Sequence, residues 1–460
     1  MARASEEASA VVDVTAWLDA RKVSRMQAMV AVICGLAVML DGFDSQVVGF
    51  IAPAVIQDWH VAPASMAGVF SAALFGTLVG CLFLAPIADR VGRRRVMLAS
   101  VAIFALASLA TAWAGTLNQL MALRFVTGIG LGACMPNALA LTAEYAPQRL
   151  RATLTSWMFT GFSLGAFAGG MLVARFAGTL GWRGMFVIGG VVPLLLLVAM
   201  VALLPESVRH LAAGGAADAR IAGLLGRIDA SARFAPGTRF VIADRAQPGL
   251  TVGYLFRDGR GAGTLLLWGM FFLLLLNVFL LASWTPTVLH AAGLSVADAV
   301  VATAMQQAGS VTATIVLGPL FDRFGFYRCL VPLLIAAAAA VVVMGSAGGD
   351  AALWMIDVAA FITGAGVMGG QTSMIVVAGA FYPTFIRATG VGWGLGVGRV
   401  GAIVGPLLGG LMIHAAWRPA DIFMSTAVPL LITVGLLLAM GRLAHVTPAG
   451  RRAVAAAGGA

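Results

Sequence analysis

The stretch Pro86-Ile-Ala-Asp89-Arg90-Val-Gly92-Arg-Arg-Arg95 returns later in the chain as Pro319-Leu-Phe-Asp322-Arg323-Phe-Gly325-Phe-Tyr-Arg328. The offset is 233 residues (322 − 89). Further along, Pro147, Arg151-Ala-Thr153 and Trp157 recur as Pro383, Arg387-Ala-Thr389 and Trp393, an offset of 236 (387 − 151), and Pro193 recurs as Pro429 at the same spacing. Matching text at matching places over so long an interval signals two copies of one structural unit.

Each copy is flanked by apolar runs. A membrane-crossing helix needs roughly 20 mostly apolar residues, and the chain supplies about twelve such runs: Met26–Val55, Met66–Ala88, Val96–Ala114, Leu117–Ala143, Ala152–Ala177 and Trp182–Leu204, then Gly263–His290, Val296–Phe321, Cys329–Ser346, Ala351–Phe381, Ala388–Ile413 and Ile422–Leu443. The expected fold is therefore an all-α membrane protein of about twelve transmembrane helices in two pseudo-symmetric, parallel six-helix halves. A tail (1–25) precedes the first half (26–204), a polar linker (205–262) joins it to the second (263–443), and a second tail follows (444–460).

Composition agrees and excludes alternatives. Of 460 residues, 60% are hydrophobic and 10% charged, with mean hydropathy +0.97; a soluble domain carries about a quarter charged residues. Disorder and a soluble multidomain enzyme are both excluded. The one lysine, Lys22, precedes Val23, so no Walker A loop exists and an ATP-driven pump on this chain is ruled out. No enzymatic activity, cofactor or metal is expected: Cys34, Cys81, Cys134 and Cys329 lack paired spacing. The net charge of +10 comes from arginines in short loops, so it marks the positive-inside rule rather than nucleic-acid binding. Arg90, Arg93, Arg94, Arg95, Arg149, Arg151, Arg323, Arg328 and Arg387 share one side with the linker arginines. Both termini are then cytoplasmic.

Charged residues inside spans cost about 2.5–3.5 kcal/mol each at a helix centre and need a reason. Asp41 and Asp44 lie three apart on one face of span one, about 22 and 27 Å from its inner end. Arg124 lies about 10 Å from the outer end of span four, a compatible depth, and is expected to face these carboxylates across a water-filled cavity. Arg399 sits about 17 Å into span eleven; its repeat partner is Ser163. Asn137, Asn277, Gln306, Gln307 and Gln371 add neutral amides that serve either as ligand contacts or as interhelical glue. Two cations with aromatics nearby (Trp157, Phe159, Phe162, Trp284, Phe361, Trp393) suit an anionic substrate with an apolar body. Desolvation disfavours a charged carboxylate, so Asp41 or Asp44 is expected to load and release a proton.

The arrangement resembles the major facilitator superfamily over nearly the whole chain. Its loop motif G-x-x-x-D-R-x-G-R-R is matched by Asp89, Arg90, Gly92, Arg93 and Arg94, with Ala85 in place of the leading glycine; the second copy keeps Gly318 and Asp322 but has Phe326 and Tyr327 at the basic positions. The resemblance implies that spans one, four, seven and ten line the cavity. It also implies a cytoplasmic latch of Asp89, Arg90, Arg93, Glu144, Arg149, Arg151, Asp322 and Arg323, with Glu144, Arg149 and Arg151 as partners of Asp89. More narrowly, Asp41-Gly-Phe-Asp44 with Gly49 and Pro53, Arg124-Phe125, Pro136-Asn137, Glu144-Tyr145, Pro205-Glu-Ser207 and Gly398-Arg399 with Gly401 and Gly405-Pro406 is similar to the aromatic acid:proton symporter family. That resemblance implies a bacterial inner-membrane protein, a monomer in the lipid bilayer, importing a benzoate- or hydroxybenzoate-type carboxylate with protons. Asp41 and Asp44 then serve coupling and Arg124 and Arg399 the substrate charge. Asn277, Gln306, Gln371, Phe159, Trp284 and Phe361 are the remaining candidate substrate contacts. The alternatives are a facilitator or symporter for another organic anion or a sugar, and a non-transporting receptor for aromatic acids.

Overall fold

The computed structural model describes residues 11–213, 218–229, 231–232, 234, 238–241, 252–346, 353–383 and 386–446. Parts of the amino-terminal tail and of the linker, and most of the carboxyl-terminal tail, lie outside them. Among the described residues, eleven helices are long and apolar enough to cross a membrane. One of them, Gln148–Leu203, has 56 residues and would run about 84 Å, against a hydrocarbon core of about 30 Å. It breaks at Gly181, whose φ of 66° is non-helical, so it comprises spans five and six and the total is twelve.

The first half holds Arg25–Trp59, Pro63–Val91, Arg93–Thr111, Leu117–Tyr145 and the two parts of Gln148–Leu203; the second holds Gly261–Ala291, Val296–Phe324, Phe326–Ser346, Leu353–Phe381, Arg387–His414 and Pro419–Val446. Span one starts in a capping box in which Ser24 Oγ accepts from Gln27 N and Gln27 accepts from Ser24 N, satisfying amides that a helix start otherwise leaves free. The repeated loops end spans two and eight alike, at Gly92 (φ 106°) and Gly325 (φ 80°). A side chain would be strained at either position, which explains why glycine stands in both copies.

Without a hydrophobic drive between helices in lipid, small residues let backbones touch. A Cβ at Gly165 of span five would collide with the Met39 carbonyl of span one, and a Cβ at Gly42 with the Phe162 carbonyl. The second half repeats the device: Gly401 and Gly405 of span eleven sit on the Phe272 and Leu276 carbonyls of span seven.

Between the halves, Gly49 packs on Ala282, Gly170 on Ala304 and Gly410 on Ala64 and Ala67, while Ser71 Oγ donates to the Ile403 carbonyl at 3.2 Å and Gln57 meets His290 at 3.0 Å. All of these lie in the half of each span remote from the face that carries both chain ends. Ser163 and Ser310 touch at mid-depth, 3.1 Å apart. The far face is thus closed, whereas on the face bearing the termini Trp157 and its repeat partner Trp393 are exposed.

On that same face the tail and linker fold together. Val11–Asp13 pairs in parallel with Arg239–Val241, and Val14, Leu18, Ile221, Leu225 and Phe240 continue the apolar cluster of Met26, Val30, Leu141 and Tyr145. Arg21 Nε bonds Asp229 at 2.8 Å and its guanidinium lies 3.7 Å from the Trp17 ring centroid. Ser231 first, then Arg21, hold the Asp229 carboxyl down to about 2.

The glycine contacts give a direct expectation. Gly165→Ala, which meets backbone, should eliminate monodisperse protein in detergent size-exclusion chromatography, whereas Gly35→Ala, with nothing within 4 Å of the new Cβ, should leave the elution profile unchanged.

Candidate functional site

Asp41 and Asp44 point about 60° apart around span one, and they enter different surroundings. Asp44 turns into its own half. Its Oδ2 accepts from Arg124 Nη1 at 3.0 Å and its Oδ1 from Ser108 Oγ at 2.6 Å. Arg124 Nη2 donates to Thr111 Oγ1 (3.0 Å) and Thr127 Oγ1 (2.8 Å), and the guanidinium lies 4.7 Å from the Phe186 ring centroid. Both charged side chains are 1% exposed. Arg124 therefore meets the span-one carboxylate, but within the helices of the first half; the expected water-filled cavity does not separate them. The depths of the residues follow from counting along the helices, whereas the side a residue faces depends on helix rotation. Spans one, three, four and six converge here, and the hydroxyls of Ser108, Thr111 and Thr127 were missed by sequence reasoning. Their spacing of three in span three, and of three from Arg124 to Thr127, was the available signal.

Asp41 accepts from Ser45 Oγ at 3.1 Å and lies in the field of Asp44 and, from the other half, of Arg399. No ion pair closes between Asp41 and Arg399. A cavity at the seam of the halves is lined by Asp44, Ser45 and Gly49 of span one, Thr77 of span two and Phe279 and Ser283 of span seven; Asp44 borders it, whereas Asp41 and Arg399 do not line it.

Other expected site residues scatter. Asn277 Nδ2 donates to the Thr426 carbonyl at 2.9 Å, tying span seven to span twelve. The Trp284 indole donates to the Pro406 carbonyl at 2.9 Å and packs edge-on to Phe70; it is a helix-packing group in this state. Gln306 Nε2 donates to Thr285 Oγ1 at 3.4 Å. Gln371 and Phe361 are half-buried on span ten, and Phe159 packs against the apolar cluster of the first half. Among the described residues, no three His, Cys, Asp or Glu side chains gather as a metal site requires.

At the termini-bearing face, Arg93 bridges Asp89 (3.1 Å) and Glu144 (2.7 Å). Asp89 thus reaches Glu144 through Arg93, while Arg149 donates to the Arg21 carbonyl at 2.6 Å and Arg151 Nε is buried without a partner. Arg90, Asp322 and Arg323 are exposed. Glu206 Oε1 accepts from Arg94 N at 3.0 Å, capping span three from outside its own helix and matching the positive end of the helix dipole.

Twelve helices in two repeated halves, with a cavity at their seam, accord with a family model described as Major Facilitator Superfamily, which matches residues 34–348 and again 267–459. The chain belongs to this superfamily. It is a family of membrane transporters, not of enzymes, and the relatives within it extend end to end. The 4-hydroxybenzoate transporter PcaK of Pseudomonas aeruginosa is 37% identical over 94% of this chain and 96% of its own. The gallate transporter of Pseudomonas putida is 39% identical over 96% and 98%. In fold, the chain is similar to a bacterial homologue of the human lysosomal transporter Spinster in an inward-facing, occupied conformation (TM-score 0.71, 17% identity, 92% of this chain and 98% of that one). The xylose transporter XylE of Escherichia coli, in a partially occluded inward-open conformation, aligns with TM-score 0.68 at 16% identity over 90% and 99%.

Breaking a buried pair strands the remaining charge. Asp44→Asn is expected to cost about 3–5 kcal/mol, and the double change Asp44→Asn/Arg124→Gln to recover much of that loss, as read by thermal unfolding of the detergent-purified protein.

Proposed function

We propose that this transporter imports an aromatic carboxylate of the benzoate or hydroxybenzoate type by proton symport, with alternating access, across the bacterial inner membrane. The observation that carries the reading is the placement of Asp41 on span one opposite Arg399 on span eleven, at the seam of the halves, in a chain whose full-length relatives are named for 4-hydroxybenzoate and gallate. Both termini and the linker are then cytoplasmic, in keeping with the arginine-rich loops on their side, and the chain works as a monomer in the bilayer. The domain division is the one given above, with the tail joined to the linker by its short sheet.

Arg399 has no carboxylate partner, so a substrate carboxylate offers it one, with charge-assisted hydrogen bonds favouring a fork geometry. Once that carboxylate neutralises the guanidinium, Asp41 loses a stabilising positive charge and binds a proton more readily. Substrate and proton thereby favour each other's binding, which is the requirement for symport. Asp44 holds Arg124 as a fixed counter-ion and transmits changes at span one into spans three and four. Gln306, Gln371, Phe159 and Phe361 are the further substrate contacts, while Asn277 and Trp284 hold helices together around the site.

The closed far face corresponds to an inward-open state. In the opposite state, the Asp89–Arg93–Glu144 set, with Arg90, Arg149 and Arg151, latches the first half to Asp322 and Arg323 of the second. In the inward-open state Asp89, Arg93 and Glu144 pair within their own half, and the latch is undone.

The test is uptake of radiolabelled 4-hydroxybenzoate, benzoate, protocatechuate and gentisate into proteoliposomes, with and without an inward proton gradient. Gradient-stimulated uptake of at least one is expected, and absence of uptake of all four by folded protein would refute the reading. Asp41→Asn should lose gradient-driven accumulation yet retain exchange. Arg399→Ala should raise the half-saturating concentration about 10- to 100-fold at unchanged membrane abundance.

A further inference from the structure

Span eight presents Gln306, Gln307 and Ser310 on one side of its helix, with Ser310 about 40° from Gln306 and about 60° from Gln307 around the axis. The Ser310 hydroxyl reaches Ser163 of the other half at 3.1 Å, while Gln306 turns toward Thr285 of span seven. Both glutamines are 1% exposed. Gln306 spends its amide N–H on Thr285, yet its Oε1 meets no donor, and Gln307 Nε2 meets no acceptor. Adjacent buried amides thus offer one free acceptor and one free donor, in a setting where buried polar groups are nearly always paired.

We propose that Gln306 and Gln307 form a subsite for a phenolic hydroxyl on the ring of the transported acid, an inference that rests on the reading of the function above. A hydroxyl is the group that uses both: it donates its hydrogen to Gln306 Oε1 and accepts at oxygen from Gln307 Nε2. A carboxylate only accepts, and an unsubstituted ring edge does neither. Depth agrees with this assignment. Counted from the termini-bearing end of each helix, Arg399 lies about 18 Å into span eleven and the glutamines about 26 Å into span eight. A carboxylate held at Arg399 leaves a ring extending toward the closed face, with a substituent opposite the carboxylate at the level of the two amides. An unhydroxylated acid leaves both amides unpaired, and sites built to bond a hydroxyl discriminate against analogues that lack it.

The experiment measures inhibition of 4-hydroxybenzoate counterflow by unlabelled 4-hydroxybenzoate and by benzoate, in proteoliposomes of the wild type, Gln306→Met and Gln307→Met. Methionine keeps the length of the side chain and removes its hydrogen bonding. The wild type is expected to prefer 4-hydroxybenzoate, and each variant to lose about 3- to 10-fold of that preference. An unchanged ratio in both variants would mean that the amides serve packing or an ordered water, and would overturn the proposal. Should the methionine variants fail to insert, Gln307→Asn, which retracts the amide by one methylene, supplies the same ratio. A wild type that binds neither acid in a thermal-shift assay would overturn the transport reading and the subsite together. Loss of the ratio effect alone leaves the transport reading intact.

Discussion

Arg124 and Asp44 form an ion pair whose side chains are both 1% exposed, and the first half is organised around making that burial tolerable. Desolvating each ion costs several kcal/mol, which mutual attraction offsets only when the remaining donors and acceptors are also satisfied. Ser108, Thr111 and Thr127 supply most of these bonds, from two positions on span three and one on span four, and Phe186 of span six closes the guanidinium face; Arg124 Nε alone is left without an acceptor. Four helices must hold register for all of these bonds to exist at once. The second half has no such centre among its described residues: neutral bonds from Asn277 and Trp284 and glycine contacts hold it together, and Arg399 stands without a carboxylate partner. Near-identical folds have thus been given a clamped half and a half with an available cation.

That asymmetry suits the alternating access proposed above, in which the halves move as units. Contacts at the far face pass between small residues, Gly49 with Ala282 and Gly410 with Ala64 and Ala67, and between the Phe70 and Trp284 rings and the Gln57 and His290 side chains. The Ser163–Ser310 contact at mid-depth lies where a rocking motion displaces residues least. Asp41 and Arg399 occupy opposite sides of this seam, and any change in charge at one is felt by the other half directly.

The number of spans and the repeat were legible because each rests on local rules: apolar length, arginine loops and matching text at a fixed offset. The meeting of Asp44 with Arg124 was legible too, since depth along a helix follows from counting. Which way each side chain turns was not. Asp41 and Asp44 share a face by spacing, yet Asp44 pairs with Arg124 and borders the cavity, while Asp41 bonds Ser45. Trp284 reads as a cavity wall until its indole is seen bonded to Pro406. The pairing of Val11–Asp13 with Arg239–Val241 left no signal, because two three-residue strands so far apart carry no periodicity.

That pairing bears on how the chain is made. The amino-terminal strand is synthesised first, but its partner lies 228 residues later (239 − 11). At about 5–20 residues per second, roughly 11 to 46 s of translation pass before the strand has anything to pair with. With the cytoplasmic placement proposed above, six spans enter the membrane in that interval while Val11 and Val12 have no strand partner, a window in which a chaperone or the insertion machinery has an apolar handle on the nascent chain. Closure of the small sheet then marks the moment at which the first half is complete and the second is about to begin.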